Sequence, residues 1–303
     1  MKKYILGVSG LVVALLIILG LSFIPFRQTS TSQKPIRVVT GMNFYGEAAK
    51  AVAGKYGKVT TLIDSSSVDP HDYQPTTSQA KSVANANVVI ENGLGYDQWL
   101  NNMVKSSNYQ NQSVINVAKL MNKKSGQNEH LWYQPETIKK LTQELATEYG
   151  KLDPSHKSYY QRNAKKYLKS LESLDKQISQ IKARINSNNN QVAVSEPVFD
   201  YALENLGYKV IDSHFAQAIE EGNDPSPKDI QNLQEAIKQH KIAFFVENSQ
   251  TTNTTVNSLV KLARENNIPV LKVTETRPSN KKNYLEWMLS QYKDLAKIQL
   301  EEK

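Results

Sequence analysis

Short β-branched runs alternating with helix-patterned segments constrain this chain more than any other feature. Arg37-Val38-Val39-Thr40, Val59 to Ile63, Val88 to Glu91 and Val114 to Val117 each read as a buried parallel strand. Helices are expected between them, at Tyr45 to Ala53 and Gln79 to Asn85. Such alternation implies βαβ units and a parallel sheet covered by helices. A second set follows residue 190, with strands at Val192–Ser195, Lys209–Asp212, Ile242–Val246 and Val270–Val273. Its main helices are expected at Pro227–Gln239, Thr252–Asn266 and Tyr284–Leu300.

The stretch between the two sets differs. Asp153 suits an N-cap and Pro154 a first helical turn. From there Ala164, Leu168, Leu171, Leu174, Ile178, Ile181 and Ile185 recur at spacings of three and four, opposite a lysine-rich face. That pattern predicts one helix of about 30 residues, roughly 45 Å long, ending at the polar run Asn186 to Asn190. A coiled-coil partner helix is the alternative reading of the stripe. The expected fold class is α/β: two lobes, each a roughly four-stranded parallel sheet flanked by helices, joined by one long rigid helix. The expected divisions are an N-terminal lobe over 36–152, a connecting helix over 153–187 and a C-terminal lobe over 188–303. A stiff strut of this kind predicts little hinge closure.

Ahead of the lobes, Lys2 and Lys3 precede an uncharged run from Tyr4 to Ile24. A secretory apolar region spans about 7–15 residues and a membrane-spanning helix about 20. The run therefore reads as a signal anchor over residues 1–27, with a cleaved signal peptide as the alternative. The flanking lysines place its start in the cytoplasm and Arg27 onward outside. Residues 28–35 form a polar linker. The chain contains no cysteine, which excludes disulfides, thiolate ligands, a cysteine nucleophile and lipid attachment through a lipobox. Formal charge is +8, or +6 without Lys2 and Lys3. No compact basic block with interleaved aromatics accompanies it, so a solvated lysine-rich surface is preferred to nucleic-acid binding.

Open α/β sheets bind ligands beyond the C-terminal ends of their strands. Asp69-Pro70-His71-Asp72-Tyr73-Gln74-Pro75-Thr76 follows the second strand, and Asn128-Glu129-His130-Leu131-Trp132-Tyr133-Gln134-Pro135 follows the fourth. In the second lobe, one strand runs into Glu196-Pro197 and another into Thr274-Glu275-Thr276. Two imidazoles and two carboxylates can therefore converge on an interlobe cleft, a donor set suited to Mn2+, Fe2+ or Zn2+. Each residue also has a plainer reading. A lone histidine is more often structural or solvated, and a glutamate in such a place can simply cap a helix. His156 and His240 read as surface residues, while His214 follows a strand and competes for a ligand role.

At these loops the sequence resembles the metal-binding substrate-binding proteins of zinc/manganese-type ABC importers, a family once grouped with lipoprotein adhesins. Pro70-His71-Asp72-Tyr73-Gln74-Pro75-Thr76 is similar to the family's P-H-x-Y-x-P-T loop. Asn92-Gly93-Leu94-Gly95-Tyr96-Asp97-Gln98-Trp99 resembles N-G-x-G-x-(D/E)-x-W, and His130-Leu131-Trp132-Tyr133-Gln134-Pro135 resembles H-x-W-x-D-P. Ser195-Glu196-Pro197 and Thr274-Glu275-Thr276 match the places of its third and fourth ligands, and Tyr284 to Met288 the start of its last helix. The likeness covers about residues 36–300. It implies metal ligation by His71, His130, Glu196 and Glu275, and gives His214 no counterpart. It also implies a monomer that captures one Mn2+ or Zn2+ on the outer face of a bacterial membrane and passes it to an ABC permease with its ATPase. Gln134 stands where the family has aspartate, which predicts a weaker hydrogen bond orienting His130. Leu120 to Glu129 is short and lacks histidine, which tilts the expectation toward manganese, although zinc has the higher intrinsic affinity.

Two other functions compete. A metal-dependent hydrolase would need an open coordination position and a base, for which Glu129 or Asp72 is available. The chain has no HExxH, G-x-S-x-G or P-loop motif, so it is expected not to be an enzyme. A surface adhesin is the third reading, and no residue supplies a mechanism for it.

Overall fold

The alternation is realised as two four-stranded parallel sheets in a computed structural model that describes residues 34–107 and 112–301. The first sheet comprises β1 (Ile36–Met42), β2 (Gly57–Ile63), β3 (Val88–Glu91) and β4 (Ser113–Asn116), in the order β2-β1-β3-β4. The second comprises β5 (Gln191–Val194), β6 (Lys209–Val210), β7 (Phe245–Asn248) and β8 (Val270–Val273), in the order β6-β5-β7-β8. Every pairing is parallel. All four residues of β3 are buried, as helices on both faces of a parallel sheet require. In each sheet the chain changes winding direction beside the first strand, at β1/β3 and β5/β7. These are the crevices where ligands bind in open α/β folds.

The helices are α1 (Asn43–Ala53), α2 (Thr77–Ala84), α3 (Gln98–Ser106), α4 (Val117–Leu120), α5 (Pro135–Leu152), α6 (Lys157–Ser170), α7 (Glu172–Lys182), α8 (Asp200–Leu206), α9 (Ser213–Glu220), α10 (Pro227–Lys238), α11 (Thr254–Glu265) and α12 (Tyr284–Glu301). The connection between the sheets departs from a single uninterrupted rod. It is helical in two pieces, α6 and α7, with Leu171 between them at φ −90° and ψ −5°. The apolar stripe nevertheless continues through the break, because Tyr160, Ala164, Tyr167, Leu171, Leu174, Ile178 and Ile181 are all buried. Helix α7 ends at Lys182, earlier than residue 187. The strand expected at Ile242–Val246 is regular only from Phe245, although the Ala243 N–H already donates to the Gln191 carbonyl of β5 at 2.7 Å. The strand expected at Lys209–Asp212 contributes only two paired residues.

One apolar core runs through both sheets. Phe44 of α1 packs on Trp132 and Trp287 with ring centroids 4.9 and 5.6 Å apart. Tyr133 packs edge-on against Phe199 at 5.0 Å, and Phe199 touches Tyr292 at 5.7 Å. Polar pins reinforce the junction. Tyr284 donates its hydroxyl to the Trp132 carbonyl and its backbone N–H to Glu47, each at 2.7 Å. The expected Tyr4–Ile24 anchor and its tether through Gln33 lie outside the described residues. Among those described, no helix is long and apolar enough to cross a membrane.

Candidate metal centre

The loop after β2 is pinned before it presents His71. The His71 N–H donates to Asp69 Oδ1 at 2.8 Å, the Trp99 indole donates to the Pro70 carbonyl at 3.0 Å, and Tyr73 donates to the Leu62 carbonyl at 3.2 Å. Thr76 then caps α2 in a reciprocal capping box with Gln79, fixing the exit of the loop. The His71 side chain stays about one-third exposed, at 35%.

A second loop shapes the floor. Gly93, Leu94 and Gly95 take φ of 83°, 61° and 104°, a left-handed run that glycine makes affordable. The Asp97 carboxylate closes the turn by accepting the N–H groups of Asn92 (2.7 Å) and Gly93 (3.0 Å). The turn buries Tyr96 under the site, where its ring meets His71 edge-on at 5.0 Å and His130 at 6.3 Å. The Tyr96 hydroxyl donates to Glu275 Oε1 at 2.7 Å.

His130 is fully buried. Asn128 Oδ1 accepts its backbone N–H at 2.9 Å and lies 2.8 Å from its Nδ1. The Asn128 amide nitrogen donates to the Pro197 carbonyl at 2.6 Å, so the oxygen is the atom facing the ring. Nδ1 must therefore carry the proton, leaving the lone pair on Nε2. Among the described residues that Nε2 has no hydrogen-bond partner. Its nearest carboxylate is Glu220 Oε1, at 3.6 Å.

Two strands of the second sheet and one helix of that lobe supply acids. Glu196 follows β5 and makes no helix-cap hydrogen bond. It accepts instead from the Asn248 amide (2.5 Å) and the Thr251 hydroxyl (3.1 Å). Glu275 follows β8 and is held by Tyr96. Glu220 ends α9, and its Oε1 lies 3.5 Å from His71 Nε2. From the first lobe, Glu129 Oε1 stands 3.4 Å from the same nitrogen. One donor atom each from His71, Glu129 and Glu220 lie within 4.8 Å of one another.

Burial and crowding set the charges. Burial would strip the His71 proton, but its hydrogen bond with Glu220 and the charges of Glu129, Glu275 and Glu220 raise its pKa to about 9. Burial lowers His130 to about 4, so that ring is neutral, as coordination requires. Glu196 is raised to about 7 and Glu275 to about 8, in both cases first by burial and next, among the raising causes, by the Glu220 charge. Burial also raises Glu129, to about 7. Burial pushes Glu220 upward as well, yet its two histidine neighbours hold it below the ordinary glutamate value. Among the described residues no lysine or arginine enters the cluster, so the His71 imidazolium alone offsets several crowded carboxyl groups. Imidazole nitrogen plus carboxylate oxygen, with a buried unpartnered Nε2 among them, is a donor set that fits a divalent transition ion.

Residues 38–298 match the family described as zinc-uptake complex component A, periplasmic. The chain belongs to this zinc-uptake component A family. Its relatives include the manganese-binding lipoprotein MntA of Halalkalibacterium halodurans, 26% identical over 235 residues that cover 76% of this chain and 74% of that one. The high-affinity zinc uptake system protein ZnuA of Bacillus subtilis is 24% identical over 232 residues, covering 70% and 71%. Among solved structures, FpvC of Pseudomonas aeruginosa in complex with Mn2+ superposes with a TM-score of 0.72 at 22% identity, covering 89% of this chain and 100% of that one. A Cd-bound periplasmic metal-binding protein of Candidatus Liberibacter asiaticus gives 0.71 at 19%, covering 86% and 98%. The fold of two parallel sheets flanked by helices is that of these periplasmic metal-binding proteins.

Of the four residues singled out in the sequence of this zinc-uptake component A member, His71 and His130 both approach the Glu220 carboxylate. Glu196 and Glu275 stand around that carboxylate, within electrostatic reach of it, but each is held by neutral donors. Position 134 does not orient His130: the Gln134 side-chain oxygen is buried without a partner, and Asn128 does the orienting. His214 is exposed on α9 and lies outside the donor cluster, while Glu220 of the same helix enters it. Glu220 escaped the sequence reading because it ends a helix rather than a strand. Glu129 was visible only as a candidate base. His156 stacks on Tyr56 at 3.7 Å and meets Asp153 at 2.6 Å, a contact at the far end of α6.

Proposed function

We propose that the chain is an extracytoplasmic binding protein that captures one divalent transition metal between its lobes and delivers it to an ABC permease and ATPase. The ligands in this reading are His71, His130, Glu196 and Glu275. One observation carries it: His130 Nε2 is buried, deprotonated and, among the described residues, without a hydrogen-bond partner, and it lies 3.6 Å from the Glu220 carboxylate. A buried lone pair left unmatched costs about 1–3 kcal/mol, which a bound cation would recover. Tyr96 holds Glu275, and the Asn248/Thr251 pair holds Glu196, each within electrostatic reach of Glu220.

The manganese- and zinc-binding names of the relatives support this class of cargo. The lipoprotein names among them support anchoring at an outer membrane face, which here would fall to the Tyr4–Ile24 segment. Glu129, one of the two bases a hydrolase could use (Asp72 being the other), is engaged with His71 rather than free.

Elemental analysis of the purified chain should find about one Mn or Zn per molecule. A His71→Ala plus Glu196→Ala variant that retains metal as tightly as the parent would overturn the ligand assignment. Ester or phosphoester hydrolysis dependent on added metal would favour the enzyme instead.

A further inference from the structure

Glu220 stands where, among the described residues, neither its helix nor a lysine or arginine favours its charge. It ends α9, where a negative charge opposes the helix dipole at a cost of about 0.3–1 kcal/mol. Its side chain is only 10% exposed, and among the described residues no lysine or arginine pairs with it. Its nearest partners there are the two imidazole Nε2 atoms, at 3.5 and 3.6 Å from one oxygen. Two donors bound to one ion at about 2.1 Å stand roughly 3.0–3.5 Å apart, from octahedral to tetrahedral angles. The spacing of Glu220 from both histidines is thus near that of atoms sharing a metal. A cavity of about 170 Å³, lined by Leu94, Asn128, Glu129, His130, Gln217 and Glu220, opens beside it and leaves room for an ion to enter.

We propose that Glu220 is a fifth ligand, bringing a third carboxylate to the site and favouring Mn2+ over Zn2+. This rests on the metal-capture reading above. Zn2+ is satisfied by four donors in a tetrahedron, whereas Mn2+ takes up to six and prefers oxygen. A fifth protein oxygen therefore adds bonds for manganese that zinc has little use for.

Competitive Mn2+ and Zn2+ titrations of the full chain, its Glu220→Gln variant and a His130→Ala control test this. Glu220→Gln should weaken Mn2+ binding at least about tenfold and Zn2+ binding less than about threefold, which separates a loss of one oxygen ligand from a loss of general attraction. Equal losses for both metals, or no loss for either, overturn the proposal. If His130→Ala abolishes binding while Glu220→Gln changes nothing, only the fifth-ligand assignment fails. If His130→Ala also binds normally, the capture reading fails with it. X-ray absorption at the manganese edge of the unaltered chain needs no variant to fold. Five or six nitrogen and oxygen neighbours support the proposal, and four contradict it.

Discussion

At His130, burial and a single hydrogen bond act on different parts of one ring. Burial keeps the imidazole neutral down to about pH 4, and Asn128 fixes which nitrogen keeps its hydrogen. Removing that bond leaves a neutral but unoriented ligand. Asn128→Ala is expected to weaken metal binding about 10- to 100-fold, with Asn128→Asp recovering most of the loss by keeping an acceptor oxygen. A titration in which the alanine variant binds like the parent would remove Asn128 from the account. His71 behaves differently, because it holds a proton up to about pH 9. A metal must displace it, along with protons on Glu275 (about 8) and Glu196 (about 7). Affinity should therefore climb from pH 6 to pH 9, and calorimetry in buffers of different ionisation enthalpy should register proton release. An affinity that is flat over that range argues against ligation by His71.

At the scale of elements, the proposed site draws on the loops after β2 and β3, on the loop after α4, on the segments after β5 and β8, and on the end of α9. The Gly93–Gly95 turn is the most exacting of these, because a Cβ at Gly93 would approach the Asn116 side chain to 2.8 Å and φ there is 83°. Gly93→Ala should cost about 1–3 kcal/mol in a denaturant melt. By moving Tyr96 it should also weaken metal binding more than a substitution of equal stability cost elsewhere. The proposed ligands His71, His130, Glu196 and Glu275 stood out as candidates because β-branched runs locate the strands, and these residues lie in the segments that follow them. Glu220 was not legible in that way, since its place depends on how α9 packs back over the second sheet. Nor was the role of Asn128, which depends on a loop conformation bringing Oδ1 to its second neighbour along the chain. The connecting segment was read as one helix because its heptad-like stripe passes unbroken through Leu171, where the backbone does not. Apolar periodicity reports the buried face and is blind to a one-residue turn that preserves it.

For the whole molecule, the shared aromatic core matters more than the connecting helices. Phe44, Trp132, Tyr133, Phe199 and Trp287 interlock across the lobes, and hinge opening would expose them. Phe44→Ala is expected to destabilise the chain by about 3–5 kcal/mol in a single cooperative transition. Two separate transitions would show that the lobes melt independently. The acidic centre sets a pH dependence of stability. In the metal-free chain His71, Glu129, Glu196 and Glu275 all have folded pKa values above their free values. Each then contributes stability that is complete below its free value, near 4.5 or 6.5, and is lost as pH rises through the folded value. Glu220 has the opposite sign, contributing above its free value and losing that contribution in acid. The melting temperature of the metal-free chain should therefore decline between about pH 5 and pH 9. Added metal should raise it most at the alkaline end.

Metal capture as proposed requires one cation held between the lobes by both imidazoles. An anomalous-difference map from crystals of the Mn2+-loaded chain tests it directly. A single peak within about 2.4 Å of His71 Nε2 and His130 Nε2, with carboxylate oxygens completing the shell, is the predicted result. A peak bound elsewhere, or one that leaves His130 Nε2 uncoordinated, would contradict it.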